Sequence, residues 1–385
     1  MMKVQEPSND RVTSRRYFLR ALGITLAAQV ASCVGGRPRG VTGRKTEAPP
    51  KAHVMTVRGP VAADDLGFTL PHEHVLITHT ASPADLTDPE AAVRELALYA
   101  AAGGKSLVDM TNVGLKRDPV ALRSISERTA VNIIMGSGFY KHKWLPPATH
   151  GRSVEDLTAE IVRDIEVGVD GTGIRAGIIG EIGISSTRQE AKGRTATEER
   201  VLRAAARAQR TTGAGINLHF DIGGDLAEHE SALDILEGEG ADLRRVALSH
   251  FVPLPGKLSH FRRLAERGCF IEFDLFGLEV VIKRLPRQEE GLEVLRDLVA
   301  EGLAPHLLIS QDLCFKSCLA ENGGFGYAHI LRNILPRLER LGVEATAIRA
   351  MTVENPRRLL ALRPIATAKN KNLPHRNKPS GGDPN

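Results

Sequence analysis

The chain has 385 residues, of which 42% are hydrophobic and 25% charged, so it is too apolar to be disordered and long enough to bury a core. No run of 18 apolar residues occurs after the first forty, which excludes a protein that spans the membrane several times. The four cysteines, Cys33, Cys269, Cys314 and Cys318, are too few and too irregularly spaced for a disulfide scaffold or a four-cysteine zinc site. Any metal would therefore be held by histidines and carboxylates.

The net charge of +5 is concentrated at the two ends of the chain. Residues 1–32 carry +3, residues 33–50 carry +3 and residues 363–385 carry +4, which leaves −5 for residues 51–362. The folded part is mildly acidic, so the composition does not support nucleic-acid binding. We expect residues 363–385 to form a disordered basic tail.

The first fifty residues have the features of an export signal. Arg15 and Arg16 precede a short, moderately apolar run from Ala21 to Ala31, which resembles a twin-arginine signal, and the run ends at Cys33 in a sequence that resembles a bacterial lipobox. Residues 1–32 are thus predicted to be the signal and residues 33–52 a flexible tether. The expected location is periplasmic or membrane-anchored, with the lipid on Cys33 as the only membrane contact. Cleavage without lipid, or paired arginines before an ordinary helix, remain open.

Short β-branched or apolar runs alternate with amphipathic helical stretches between residues 51 and 362. Asp88, Asp118, Ser153 and Thr195 each stand where a residue that caps a helix N-terminus is expected. The eight predicted strands are Gly67–Leu70, Ser106–Asp109, Asn132–Met135, Ala176–Gly180, Gly215–Leu218, Val246–Leu248, Phe270–Phe273 and Leu307–Ser310.

Eight strand-helix units over about 300 residues are typical of an α/β fold, a closed (β/α)8 TIM barrel, with an open doubly wound sheet as the alternative. We predict one such domain over residues 53–362. Before it, Val54–Val57 and Leu66–Leu70 are predicted to pair as a small N-terminal β-hairpin at the barrel floor.

Candidate metal ligands follow the carboxyl ends of these strands. His72 and His74 are two positions apart in an extended segment, so both imidazoles would point the same way. Carboxylates and further histidines end or follow four other strands, and the carboxyl ends of the strands meet at one mouth of a barrel. The complete predicted metal-ligand set is His72, His74, Glu181, His219, His250 and Asp312.

Such a set would suit metal-assisted hydrolysis. Two divalent cations about 3.5 to 4 Å apart lower the pKa of a shared water to near neutrality and can polarise a carbonyl or phosphoryl oxygen. Asp312, if bound through one oxygen, is placed to accept the proton of that water and is predicted to be catalytic. Hydrolysis of an ester, a lactone, an amide or a phosphotriester would all fit.

These residues also resemble those of the phosphotriesterase family of the amidohydrolase superfamily. The similarity runs from about Val57 to Leu362 and rests on five blocks: Gly67–His74, Gly180–Gly183, Ile271–Asp274, Ser310–Asp312 and Gly323–Tyr327. The resemblance implies a (β/α)8 barrel with two divalent metals, usually zinc, and a bridging hydroxide. By motif, His72, His74 and Asp312 would hold the buried metal, His219 and His250 the outer one, and Glu181 would bridge them.

The chain departs from the family pattern at two places. Many members, including true phosphotriesterases, have a carbamylated lysine where this chain has Glu181; a glutamate supplies the same two oxygens without a carbon dioxide adduct. Pro253 stands where the family often has an acid. Tyr140 is predicted to be catalytic, because the resemblance implies that it contacts a substrate oxygen, as a similarly placed tyrosine does in lactone-hydrolysing relatives; simple packing is the alternative.

The sequence therefore predicts an enzyme that hydrolyses a small-molecule ester, lactone or amide with two divalent metal ions, zinc being the family's usual choice. Two alternatives remain open: a true organophosphate hydrolase, and a lipid-anchored protein that binds metal or ligand without turnover. No nucleic-acid partner is expected, and a homodimer is compatible with the sequence.

Overall fold

The computed structural model of the protein describes residues 52–79, 82–186, 193–283, 285 and 287–362. It contains a two-stranded antiparallel sheet of β1 and β2, followed by eight parallel strands, β3 to β10, that lie side by side in chain order. The predicted signal and tail, and all of the tether but Ala52, lie outside the described residues. The strands are β1 His53–Thr56, β2 Gly59–Ala62, β3 Thr69–Glu73, β4 Ser106–Asp109, β5 Asn132–Ser137, β6 Ile178–Ile184, β7 Ile216–Phe220, β8 Val246–Leu248, β9 Phe270–Phe273 and β10 Leu307–Ile309.

The first and last parallel strands meet and nearly close the barrel. The backbone N–H of Asp312 donates to the carbonyl of His72 at 3.1 Å, and the N–H of His74 donates to the carbonyl of Leu313 at 3.3 Å. Ser310 joins the same seam, since its hydroxyl donates to the His72 carbonyl at 2.9 Å. The predicted TIM barrel is confirmed, and the open doubly wound sheet is wrong.

Helices connect the strands and begin where their capping residues predict. Asp88, Asp118 and Ser153 accept hydrogen bonds from the first turns of α1, α2 and α3, and Thr195 forms a reciprocal capping box with Glu198 at α4. The helices are α1 Pro89–Ala101, α2 Pro119–Thr129, α3 Val154–Glu166, α4 Ala196–Thr212, α5 Leu226–Gly238, α6 Leu258–Glu266, α7 Gln288–Ala300, α8 Leu335–Arg340, α9 Ala345–Arg349 and α10 Asn355–Leu360. Wider π-helical turns at Ile330–Ile334 and Ala350–Glu354 precede α8 and α10.

The apolar core has two parts. Most buried side chains pack between the strands and the surrounding helices. A smaller cluster gathers alternate residues of the strands, including Val108, Ile134 and Ile178, and it also contains Val54 of the N-terminal hairpin. The hairpin therefore covers the end of the barrel opposite to the candidate ligands, which leaves the carboxyl ends of the strands free to form a site.

The predicted partner strand in the hairpin was wrong. β1 pairs with Gly59–Ala62, whereas residues 69–73 belong to the barrel strand β3. The reason is a tight turn at Val57 and Arg58, in which the Thr56 hydroxyl donates to the Gly59 carbonyl at 2.7 Å and Gly59 adopts a φ of 115°. The turn brings the next four residues alongside β1 before the chain can reach Leu66.

The three cysteines in the described ranges, Cys269, Cys314 and Cys318, are free thiols. None of the helices in the described ranges has the length and apolar content needed to cross a bilayer.

Candidate metal centre

The six predicted ligands lie together at the carboxyl ends of the barrel strands. His72 is in β3 and His74 follows it, Glu181 is in β6, and His219 is in β7. His250 and Asp312 stand in the loops that leave β8 and β10. Each of the six has a side-chain atom within 4 Å of another member of the set.

Glu181 is at the centre of the group, and its two carboxylate oxygens face different histidines. Its Oε1 is 3.4 Å from His74 Nε2. Its Oε2 is 3.5 Å from His72 Nε2, 2.6 Å from His219 Nδ1 and 3.7 Å from His250 Nε2. A carboxylate placed between two groups of imidazoles is the arrangement expected of a bridging ligand.

Asp312 closes the other side of the group. Its Oδ1 is 3.3 Å from His74 Nε2 and 3.8 Å from His72 Nε2, and its Oδ2 is 3.9 Å from His250 Nδ1. The Asp312 side chain is 13% exposed, against 2% for Glu181. Asp312 is thus the carboxylate of the set that an incoming water can reach.

Groups behind the histidines hold the rings in place. The Thr111 hydroxyl is 2.9 Å from His74 Nδ1. Asp274 lies between two other rings, with one oxygen 3.2 Å from His72 Nδ1 and the other 3.3 Å from His250 Nδ1, and Glu272 is 3.3 Å from His72 Nδ1. Partners of this kind orient metal-binding imidazoles and select their tautomers.

The backbone is strained at two of the predicted ligands. His250 has a φ of 63° and Asp312 a φ of 48°, a region that residues other than glycine seldom occupy. At His250 the conformation is supported by its N–H, which donates to Asp274 at 2.9 Å. Strain of this kind is concentrated at functional sites, where surrounding contacts maintain it.

The electrostatics favour positive charge in the centre. Burial alone would lower the pKa of His74 and of His250, but hydrogen bonds and charges from Asp312, Glu181 and Asp274 raise these values to about 9 and about 10. Burial would raise the pKa of Glu181, yet the surrounding histidines hold it well below its usual range. A field that favours bound protons on these rings also favours a bound metal cation.

The residues fit the metals that the family implies. Ligand atoms about 2.1 Å from one tetrahedral ion lie about 3.4 Å apart, close to the separations of Glu181 and Asp312 from His72 and His74. His72 Nε2 is buried and makes no hydrogen bond, so this nitrogen is available to bind a metal ion in the cluster. Two of the residue groups whose atoms could surround one cation are His72–His74–Asp312 and His72–Glu181–His250.

A pocket of about 210 Å³ opens above these residues, and Tyr140 and Lys141 line it. We call it the central pocket. The Tyr140 hydroxyl is 3.2 Å from His219 Nε2, and Lys141 forms a buried ion pair with Asp221. Gly183 permits this arrangement, because a Cβ there would lie 2.3 Å from the backbone nitrogen of Lys141. Tyr140 therefore contacts a predicted ligand and faces the pocket, and its catalytic role stays a prediction.

Sequence reasoning assigned no role to several residues that shape this site. Glu272 and Asp274 entered only as part of a family-like block, although two acids in and directly after a barrel strand could have marked them. Lys141 and Asp221 come from different loops, and no spacing in the sequence connects them. The Asp221 carboxylate also accepts from the Ser186 N–H at 3.0 Å, so it joins the loops that follow β5, β6 and β7.

Comparisons with known proteins agree with this geometry. The model of the phosphotriesterase family matches residues 52–360. An N-acetyltaurine hydrolase from Xenopus tropicalis is 32% identical over 350 residues, which cover 80% of this chain and 98% of the relative. Among solved structures, a resiniferatoxin-binding protein from Rhodobacter sphaeroides has a TM-score of 0.74 at 35% identity and covers 80% of this chain and 94% of its own. A mutant phosphotriesterase-like lactonase from Deinococcus radiodurans has a TM-score of 0.69 at 31% identity, with 80% and 99% covered.

The fold and the site define a barrel of the metal-dependent hydrolase class. The chain belongs to the phosphotriesterase family. The predicted resemblance is thereby confirmed, and so is the prediction of an enzyme class, because relatives in the family are named as hydrolases and lactonases.

Proposed function

We propose that this protein hydrolyses an amide or carboxylic ester bond of a small molecule, lactones included, with two divalent cations as cofactors. The observation that carries the proposal is the position of Glu181, whose two oxygens are shared between His74 on one side and His72, His219 and His250 on the other. The names of relatives, an N-acetyltaurine hydrolase and a lactonase, support an acyl substrate.

The motif that this chain shares with the phosphotriesterase family divides the residues between two cations, although His72 lies near the same Glu181 oxygen as His219 and His250. His72, His74 and Asp312 would hold one, His219 and His250 the other, and Glu181 would contact both; zinc suits this set of imidazole nitrogens and carboxylate oxygens. When bound, such a pair supplies a Lewis acid for the substrate oxygen and a water that is acidic near neutral pH. The remaining work belongs to side chains of the protein.

Three side chains have clear tasks in this proposal. Asp312, the more exposed carboxylate of the set, accepts the proton of the attacking water on its free oxygen and later delivers it to the leaving group. Tyr140 has a hydroxyl beside His219 and a raised pKa caused by burial, so it stays protonated and donates a hydrogen bond to the substrate. Asp274 keeps the rings of His72 and His250 in orientation.

A substrate panel tests the proposal. The zinc-loaded protein is assayed with an N-acyl taurine, an N-acyl amino acid, a lactone, a carboxylic ester and a phosphotriester. We expect kcat/KM for at least one acyl substrate to exceed the value for the phosphotriester, since specificity constants measure differential stabilisation of transition states. A phosphotriester hydrolysed faster than every acyl substrate would overturn this order, and no turnover at all would favour a binding protein.

We also propose that the enzyme acts outside the cytoplasmic membrane. The support is the order of Arg15 and Arg16, the apolar run and Cys33 in the sequence, a segment outside the described residues. Export of the folded chain would let it acquire metal in the cytoplasm first. Replacing both arginines with lysine should retain the protein in the cytoplasm, and Cys33→Ala should release it from the membrane fraction. Unchanged fractionation of both variants would contradict the proposal.

A further inference from the structure

A second cavity lies beside the central pocket and is larger. Its volume is about 350 Å³, against about 210 Å³ above the candidate ligands. It opens between the loops that leave β7 and β8 and the helices that follow, α5 and α6. We call it the side cavity; its lining includes Ile222, His229, Phe251, Leu254, His260 and Phe261.

The side cavity adjoins the candidate metal centre. Asp221, Ile222 and His250 line both it and the central pocket. His250 is one of the two histidines assigned to the outer metal. The acyl chain of a substrate whose reacting carbon lies at that metal would enter the side cavity past Ile222.

The walls of the side cavity are apolar and aromatic. The ring of Phe251 lies 4.8 Å from that of His229 and 5.8 Å from that of His260, centroid to centroid. Burial lowers the pKa of His229 to about 3 and that of His260 to about 4, so both rings are neutral. His229 Nδ1 and His260 Nε2 are buried without a hydrogen-bond partner, and both rings present aromatic surface beside Phe251.

Few charges interrupt this surface. Asp221, Lys257 and the predicted ligand His250 are the charged side chains in its lining. The Asp221 carboxylate is already in an ion pair with Lys141 and accepts a hydrogen bond from Ser186. The central pocket is more polar, because Tyr140, Lys141, Lys143 and five of the six predicted ligands line it beside apolar residues such as Trp144 and Phe315. The two compartments thus suit the two halves of an acyl substrate, one apolar and one polar.

We propose that the side cavity is the acyl subsite of the enzyme, and that it takes an apolar acyl chain of medium length or an arylacyl group. The inference rests on the proposed amide or ester hydrolysis. In that reaction the bond from the acyl carbon to nitrogen or oxygen breaks and the oxygen of water becomes bonded to that carbon. The products are a carboxylic acid and an amine or alcohol, whose new proton comes from the water. The leaving group needs that proton and polar surroundings, which the central pocket supplies, whereas the acyl chain needs neither.

The test compares acyl chains on one amine. The zinc-loaded full chain is assayed with the N-acetyl, N-hexanoyl and N-phenylacetyl derivatives of taurine. Because each buried methylene adds to transition-state binding, we expect kcat/KM to rise at least about tenfold from acetyl to hexanoyl. Leu254→Trp adds bulk to the cavity wall. In this variant the kcat/KM for the hexanoyl substrate divided by that for the acetyl substrate should fall to near one.

A matched control is Leu98→Trp. Leu98 is 41% exposed and Leu254 is 37% exposed, but Leu98 is on α1 and lines neither cavity. The control should keep the wild-type ratio. A ratio near one in the wild-type enzyme, or a ratio that Leu254→Trp leaves unchanged, would overturn the inference.

A binding measurement separates this inference from the proposed function. Octanoate should raise the Tm of the wild-type protein and of Leu98→Trp, and not that of Leu254→Trp, because a ligand that binds only the folded state stabilises it. If no acyl substrate is hydrolysed but this pattern appears, the cavity assignment stands and the proposed function fails. If acyl substrates are hydrolysed and octanoate shifts no variant, the assignment of the cavity fails.

Discussion

Two pairs of histidines lie close together in this barrel and have opposite surroundings. His219 and His250 are in the candidate metal centre, with ring centroids 4.3 Å apart. His229 and His260 are in the side cavity, with ring centroids 5.1 Å apart. The first pair faces the carboxylates of Glu181 and Asp274, whereas the second packs against phenylalanine rings.

The carboxylates decide what each pair can do. Burial lowers the pKa of all four rings, but at His250 Asp274 and Glu181 reverse the effect and raise the pKa to about 10. His219 stays at about 4, because burial and the neighbouring charge on His250 outweigh the attraction of Glu181. The first pair can therefore hold one positive charge, and the second, with pKa values of about 3 and about 4, holds none. In this barrel the neighbouring acids therefore distinguish the pair that can hold a positive charge from the pair that cannot.

The largest expected effect comes from removing the shared acid. Glu181→Gln keeps the shape of the side chain and removes its charge, so we expect loss of at least one metal and a fall in kcat/KM of at least about a thousandfold. Metal content by mass spectrometry and steady-state kinetics measure the two effects. His229→Gln is the control from the second pair and should keep its metals. A Glu181→Gln protein with full metal occupancy would show that the metals are bridged by another group.

The comparison of the two histidine pairs also predicts how the protein responds when a chelator removes its metals. Because ligands that bind only the folded state stabilise it, removing the metals should abolish turnover and lower the Tm by several degrees. Zinc should restore both, and added bicarbonate should change neither, since Glu181 needs no carbamylation. His229→Phe should respond to chelator as the wild-type does. A need for bicarbonate during reloading would point to a carbamylated lysine elsewhere in the site.

The surroundings of His219 and His250 could largely be predicted from the sequence. Little of the surroundings of His229 and His260 could be. The eight strands were predictable because each apolar run is bounded by helix-capping or polar residues, and parallel strands of a barrel share one edge. Residues at or near strand ends, such as His219 and His250, therefore come together in any barrel with this register. His229 and His260 are on helices, where position along the chain does not say which loop they face.

Other errors have the same physical origin. The hairpin partner of β1 was misassigned because a tight turn, and not hydrophobic pattern, selects residues 59–62. The pair of Lys141 and Asp221 was missed because two loops meet there without any shared periodicity. Elements whose geometry follows from strand or helix repeats were predictable, and contacts between loops were not.

A moderate loss of metal affinity is expected when an acid that contacts the ligand histidines is changed. Asp274 contacts His72 and His250 without belonging to the predicted ligand set. Asp274→Asn should weaken metal binding about 10- to 100-fold, which is typical when an acid that orients metal-bound histidines is lost. Competition with a chromogenic chelator measures the affinity. Asp242→Asn, which alters an exposed ion pair with Arg244, is the control and should have the wild-type affinity.

The smallest expected effect is a pH-dependent change in the free energy of unfolding that comes from His229, in the second pair. His229 has a pKa of about 3 in the folded protein against an ordinary value of 6.5, because burial and His260 disfavour its charged form. The unfolded chain therefore binds a proton below pH 6.5 that the folded chain does not. The stability present above that pH is lost as the pH falls, by about 2 kcal/mol between pH 8 and pH 5. His229→Phe removes this titration. The free energy of unfolding is measured with urea at pH 8 and at pH 5 for both proteins. Between these two pH values it should fall less in His229→Phe than in the wild-type. An equal fall in both proteins would mean that His229 is protonated in the fold, and the contrast between the two histidine pairs would be lost.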